Sequence, residues 1–475
     1  MLFTSLEFLF IFFPLTLGVY FILNKKAKNY WLLFISLFFY AWGEPMFVFV
    51  MIGSIICNYI FALGISASDK HKAIKKLILC LSVVANLGVL FVYKYLNFVT
   101  GTLHDILPLT KELFEKTSFV LPIGISFFTF QAMSYVIDVY RGVPVQKNPF
   151  NLGLYISFFP QLIAGPIVRY TTIADQINDR KVTFESFSKG VLRFFYGFNK
   201  KMLLANILAQ VADKAFETSE LSVSMAWLGI ICYTLQIFFD FSGYSEMAIG
   251  LGQMFGFKFL ENFNYPYISK TITEFWRRWH MSLGSWFRDY LYFPLGGSRV
   301  NSKIRLVFNL FVVWFATGVW HGASWNFILW GVLYGIIITV EKLTSLPQKL
   351  DKKGITATAY QIFTLLMVML GWVLFRATTL DGALVYIKSM FGLAGNALTD
   401  DMSVFYLRDY AVIMVVGIIC STPIIRNIRN RISKISSVAE TGVNLVTYAV
   451  QFALFVVGVS YLVMNAHNPF IYFNF

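Results

Sequence analysis

Five histidines occur in 475 residues, and two of them stand among tryptophans. His321 lies in TGVWHGASWNFILWG (Thr317 to Gly331), between Trp320 and the small residues Gly322, Ala323 and Ser324. His280 closes FWRRWH, two residues after the pair Arg277 and Arg278. An imidazole ionises near neutrality, so it is the commonest general acid or base. Arginines grip phosphate oxygens through parallel N–H bonds, which would suit an anionic ligand. No glycine-rich nucleotide loop precedes them, so ordinary ATP chemistry is not supported. Two acids, Asp240 and Glu246, stand in the apolar run YTLQIFFDFSGYSEMAIG. Either could orient a histidine or pair with Arg277 or Arg278, and that structural role is the favoured reading. Cys57, Cys80, Cys232 and Cys420 are scattered without ligand-like spacing, so no metal site is expected.

Composition says what must hold these residues. Hydrophobic residues form 57% of the chain and charged ones 13%, whereas a soluble chain carries roughly a quarter charged residues. Repeated apolar runs of about 15 to 23 residues point to a polytopic helical membrane protein. We therefore expect an all-α integral membrane protein, residues 1–475 forming one domain. It should have about 10–12 transmembrane helices plus re-entrant or interfacial pieces. Leu2 to Leu23 lacks a small-residue cleavage site and reads as a retained membrane helix rather than a signal peptide.

Lysine and arginine number 39 against 25 acids, a net charge of +14. In a soluble protein that would suggest nucleic acid. Here the basic residues sit in short loops, as cytoplasmic anchoring requires, so membrane lipids and no nucleic acid are expected as partners. Lys25 to Lys28, Asp69 to Lys76, Ser298 to Arg305 and Arg426 to Lys434 then lie inside. Gly43 to Pro45, Gly101 to Ser118, Asp213 to Glu220 and a loop marked by Asp400, Asp401 and Asp409 lie outside. The N-terminus falls outside a cytoplasmic membrane, as does the aromatic tail PFIYFNF after the last run.

This plan places His321. The run Leu306 to Trp320 starts at a basic inner loop and covers about 15 residues, or about 22 Å of helix. Hydrocarbon is about 30 Å thick, so the following Gly-Ala-Ser turn would be buried beneath the outer surface. An ionisable group there is a functional candidate, although a lone histidine can also be a satisfied core donor. The stretch around FWRRWH reads as one interfacial helix, with Trp276, Trp279 and Leu283 on one face and Arg277, His280 and Arg288 turned away. It could anchor the chain or gate an anionic cytoplasmic ligand. FFPQLIAGPIVRY (Phe158 to Tyr170) reads as a re-entrant turn broken by Pro160, Gly165 and Pro166.

Four motifs in order carry a resemblance: FFPQLIAGPIVRY, DFSGYSEMAIGLGQMFGF, NFNYPYISKTITEFWRRWHMSLGSWFRDYLYFPLGG and WHGASWNFILWG. Together they resemble the membrane-bound O-acyltransferases, most closely the bacterial polysaccharide branch typified by alginate O-acetyltransferase. The likeness runs over roughly residues 122–335, between a similar apolar N-terminal part and aromatic tail. It implies that His321 is the catalytic histidine and that His280, which matches the family's second motif position, is a second catalytic candidate. Arg277, Arg278, Trp320 and Asn326 become candidate substrate contacts, and Asp240 and Asn262 candidate structural or orienting residues.

The resemblance also implies the chemistry. The family moves an acyl group from a cytoplasmic thioester, acetyl-CoA in the acetylating branch, to an acceptor outside, with no bound cofactor. A narrow channel would let donor and an extracytoplasmic glycan meet at mid-membrane. There His321 would act as general base, a role worth about 10² to 10⁴ in rate. The branch usually works with a separate extracytoplasmic SGNH-type acetyltransferase partner, a serine-hydrolase-like protein. D-alanyl transfer to teichoic acid is the neighbouring alternative, since those proteins share DF, NFN and WRRWH-like features but tend to lack GASW after WH. A transporter or export scaffold using His321 as a proton relay is a different class. Paired broken helices in two similar halves would favour that reading, and the sequence has none.

Overall fold

The computed structural model describes residues 1–106, 119–349, 354–464, 468–469 and 471. Among these residues the regular structure is all helical, with no β-strand. A helix pairs its backbone N–H and C=O groups internally, which hydrocarbon demands of any segment that crosses it. Eight helices among the described residues are long and apolar enough to cross a membrane, and the chain is a multi-pass membrane protein. Other apolar runs fold into shorter helices, such as Phe8–Ile22 and Ile125–Tyr140. Of the acidic stretch Gly101 to Ser118, residues 107–118 lie outside the described residues. So do 470 and 472–475 of the aromatic tail.

Contacts divide the chain into two compact units, residues 1–191 with 248–260 and residues 192–247 with 261–475. In the first, α1 (Phe47–Ala67) and α2 (Lys72–Ile106) exchange side-chain amide bonds. Asn58 Nδ2 donates to Asn86 Oδ1 at 3.0 Å, and Asn86 Nδ2 returns the bond at 2.8 Å. Sliding either helix would strand two amides in an apolar setting, so this pair fixes their register. After α3 (Pro149–Ser157) comes the segment read as a re-entrant turn. It holds only the short helix Phe159–Leu162 and is buried from Phe158 to Val168. The turn requires glycine at 165, where a Cβ would lie 2.5 Å from the Gln161 Cα.

In the second unit the later part of α4 (Phe184–Asn199) meets the earlier part of α5 (Val223–Met254) at two glycines. A Cβ on Gly243 would lie 2.7 Å from the Gly197 carbonyl oxygen. This region is laced by ion pairs. Lys201 pairs with Asp240 at 2.5 Å, and both side chains are buried. Arg193 binds Glu246 at 2.5 Å and grips both carboxylate oxygens of Glu261. An unpaired charge here would cost several kcal/mol, on the order of 3–5, so each has its counterion. The expectation that Asp240 or Glu246 meets Arg277 or Arg278 is thereby corrected. Asp240 also accepts the Ile471 backbone N–H at 2.9 Å, and Glu246 also pairs with Lys200. Long-range pairing chose these partners, and local spacing does not show it.

Two short helices follow, α6 (Ile272–Arg278) and α7 (Met281–Phe287), then the hairpin of α8 (Lys303–His321) and α9 (Trp325–Leu343). After them come α10 (Ile355–Arg376), α11 (Asp401–Cys420), α12 (Ile424–Ser433) and α13 (Ser437–Val463). Asp400 caps α11, accepting the Ser403 N–H at 2.8 Å. Asp401 and Asp409 therefore lie in a helix rather than a loop. Asp213 is helical too, in Asn206–Glu217, and pairs with Arg376 at 2.8 Å.

Candidate active site

His321 ends α8 and is 4% exposed. The helix begins at Lys303, three residues before the expected start, and its 19 residues span about 28 Å. That is close to the full hydrocarbon thickness of about 30 Å, so shortness of the helix does not explain the burial. Packing does. α8 and α9 touch backbone to backbone, where a Cβ on Gly331 would lie 2.5 Å from the Trp314 carbonyl oxygen and 2.9 Å from the Gly318 Cα. Gly322 leaves room for the Phe327 ring, which occupies the place of its missing Cβ. Asn326 donates to the Ala377 carbonyl at 2.7 Å, tying the start of α9 to the end of α10. The His321 ring is then walled by Trp320, Trp330 and Phe375, at centroid distances of 5.0, 4.9 and 5.3 Å.

His280 sits where the expected continuous interfacial helix is broken. α6 stops at Arg278, Trp279 is extended, and His280 adopts a left-handed backbone at φ 44° before α7 begins. A non-glycine residue in that region is uncommon and needs outside support. The stretch 262–264 supplies it: Asn264 N–H donates to Arg278 O and Met281 N–H to Asn262 O, both at 2.9 Å. The break carries the imidazole inward to 2% exposure, beside the buried Trp279 and Leu283, so it does not share an outward face with Arg277 and Arg288. Asn262 Oδ1 lies 3.1 Å from His280 Nδ1 and accepts the Ser282 hydroxyl at 2.9 Å. Asn262 Nδ2 in turn donates to Ser245 Oγ of α5 at 3.0 Å. Burial pushes the His280 imidazole down to about 3, which leaves the ring neutral.

The two histidines belong to one aromatic cluster. Trp320 lies 6.0 Å from His280 and 5.0 Å from His321, centroid to centroid. Phe241 of α5 stands edge-on to His280 at 4.6 Å. It also lines a small cavity with Ile237, Trp279, His321, Trp330, Trp372 and Phe375. The cavity measures about 10 Å³, roughly one water molecule's space. His321 is the one ionisable side chain among its lining residues. An imidazole walled by indoles can exchange a proton with a hydroxyl in a water-poor setting.

Thus His321, His280, Trp320 and, through His280, Asn262 come together. The other candidates point elsewhere. Arg277 is exposed, while Arg278 is held by Glu274 at 2.8 Å and the Asn264 carbonyl at 3.1 Å. Asp240 serves its ion pair, and Asn326 ties two helix ends. Sequence reading missed Glu341, a fully buried carboxylate on α9. It accepts the Ile272 and Thr273 N–H groups at 2.8 Å each and caps α6. The signal was present, since an acid closing an apolar run is costly unless it has such work. Trp372 and Phe375, which close the cavity from α10, carry no spacing that marks them.

Comparison with known proteins adds a family. The family model of the membrane-bound O-acyltransferases matches residues 103–378. A probable alginate O-acetylase of Azotobacter vinelandii is 43% identical over 84% of this chain and 80% of its own length. A peptidoglycan O-acetyltransferase of Helicobacter pylori is 37% identical over 84% of this chain and 81% of its own. A teichoic acid D-alanyltransferase of Bacillus subtilis is 28% identical over 57% of this chain and 69% of its own.

Proposed function

Because the chain belongs to the membrane-bound O-acyltransferase family and is an O-acyltransferase, we propose that it moves an acetyl group from cytoplasmic acetyl-CoA across the membrane for O-acetylation of an extracytoplasmic polysaccharide, with His321 as general base. The observation that carries this reading is the position of His321 as the ionisable wall of an aromatic cavity at the α8–α9 turn. The imidazole takes the proton of the acceptor hydroxyl while that oxygen attacks the thioester carbonyl. The tetrahedral intermediate expels the CoA sulfur, which leaves with a proton from the imidazolium, and an acetyl ester remains on the acceptor. Each proton borrowed is returned, so no cofactor is required. Trp320, whose ring meets both histidines, lines the approach with His280, and an SGNH-type partner outside completes delivery to the glycan.

Acetyl is favoured over D-alanyl because the two O-acetylating relatives match more of the chain at higher identity than the D-alanylating one. In this reading the protein lies in the cytoplasmic membrane with its N-terminus outside. The test is to release alkali-labile esters from the cell surface of strains with and without the gene. Ester acetate should depend on the gene. Dependence of ester alanine, with acetate unchanged, would replace this reading with the D-alanyl one.

A further inference from the structure

Between the crossing helices α11 and α13 lies α12, IIRNIRNRIS, ten residues with none buried. At 3.6 residues per turn, Ile424, Ile425, Ile428 and Ile432 fall within an arc of about 100°. Arg429 and Arg431 border that arc on its two sides. The four isoleucines are 49%, 54%, 53% and 40% exposed, so the stripe is not spent on packing within the protein. Two of the cations have neighbours: Arg429 donates to Asn444 Oδ1 at 3.0 Å, and the Arg426 guanidinium lies 4.7 Å above the Tyr265 ring. Arg431 and Lys434 are exposed beside them. From Tyr410 to Ala439 the sequence contains no acid.

A helix joining two crossings is tethered at both ends to the membrane surface. An apolar stripe flanked by basic residues there matches the boundary between headgroups and acyl chains. Its charge is of one sign, and an anionic headgroup layer supplies the complement. We propose that α12 is an in-plane anchor for anionic phospholipid. The isoleucine stripe inserts below the phosphates, while Arg426, Arg431 and Lys434 bind headgroup oxygens from above. Arg429 stays with Asn444 and fixes the roll of the helix.

The test uses the full chain with Cys57, Cys80 and Cys420 replaced by serine and a nitroxide on Ile428→Cys. The protein is reconstituted in vesicles of phosphatidylcholine, with or without phosphatidylglycerol. Depth is read by paramagnetic resonance from accessibility to oxygen against a water-soluble nickel chelate. In anionic vesicles the label should lie below the phosphates. It should be at least about fivefold less accessible to nickel than in the R426Q/R431Q/K434Q variant. Equal depth in both lipids and in the variant would overturn recognition of anionic lipid. Nickel access in both lipids would overturn insertion. Exclusion of both reagents would mean that protein covers the stripe, which overturns the proposal as well.

Discussion

Asn262 and His280 meet through a 3.1 Å contact between the amide Oδ1 and the imidazole Nδ1. An amide oxygen only accepts, so the contact assigns the proton to Nδ1 and the lone pair to Nε2. We expect Asn262→Leu to lower turnover in membranes by about tenfold, the value of one hydrogen bond of about 1.4 kcal/mol, with little change in donor KM. Asn262→Asp keeps the acceptor oxygens and should recover part of the loss. Equal losses in the two variants would remove the orienting role.

His280 gives the folded protein a pH signature. Its folded-state value is pushed down to about 3 by burial, while an unfolded histidine titrates near 6.5. Between those values the unfolded state binds a proton that the folded state does not, so stability falls as pH drops below about 6.5. We expect the thermal midpoint of wild type in lipid to fall more steeply from pH 6.5 to 4 than that of His280→Gln. Parallel slopes would show that His280 is not held neutral.

The hairpin that carries His321 depends on the contact at Gly331. A methyl there would meet the Trp314 carbonyl at 2.5 Å, and the overpacking should cost about 1–3 kcal/mol. We expect Gly331→Ala to lower both the thermal midpoint and turnover. Gly53→Ala, where a Cβ meets nothing within 4 Å, is the matched control. A Gly331→Ala protein as stable and active as the control would mean that the hairpin is looser than described.

How much of this was legible in sequence follows from the range of the interactions. The α8–α9 turn could be read because its signal is local: an apolar run ends at Trp320, and small residues follow at once. The membrane class was equally plain, since charge deficit is a property of the whole chain. The break at His280 could not be read, because FWRRWHMSL contains no proline or glycine at the corner and helical spacing continues through it. What bends the chain is the 262–264 stretch, which lies far enough away that periodicity does not register it. The partners of Asp240 were hidden for the same reason. Lys201 and Ile471 reach it from 39 residues before and 231 residues after.

Sidedness can be tested across α11, a single crossing between the acidic start at Asp400 and the basic α12. Leu398 and Asn430 are both exposed and flank it. With the native cysteines removed, we expect Leu398→Cys to react with a membrane-impermeant maleimide in intact cells. Asn430→Cys should react only after the membrane is opened. The reverse pattern would put the basic helix outside and end the account of a cytoplasmic donor.

The central claim is that the His321 imidazole is the base. The direct measurement is the ester acetate on the surface polysaccharide of cells carrying His321→Ala, at the membrane level of wild type. A general base contributes about 10² to 10⁴ in rate, so acetate should fall to that of cells without the gene, while the protein stays folded and inserted. Acetylation near the wild-type level in that variant would contradict the account.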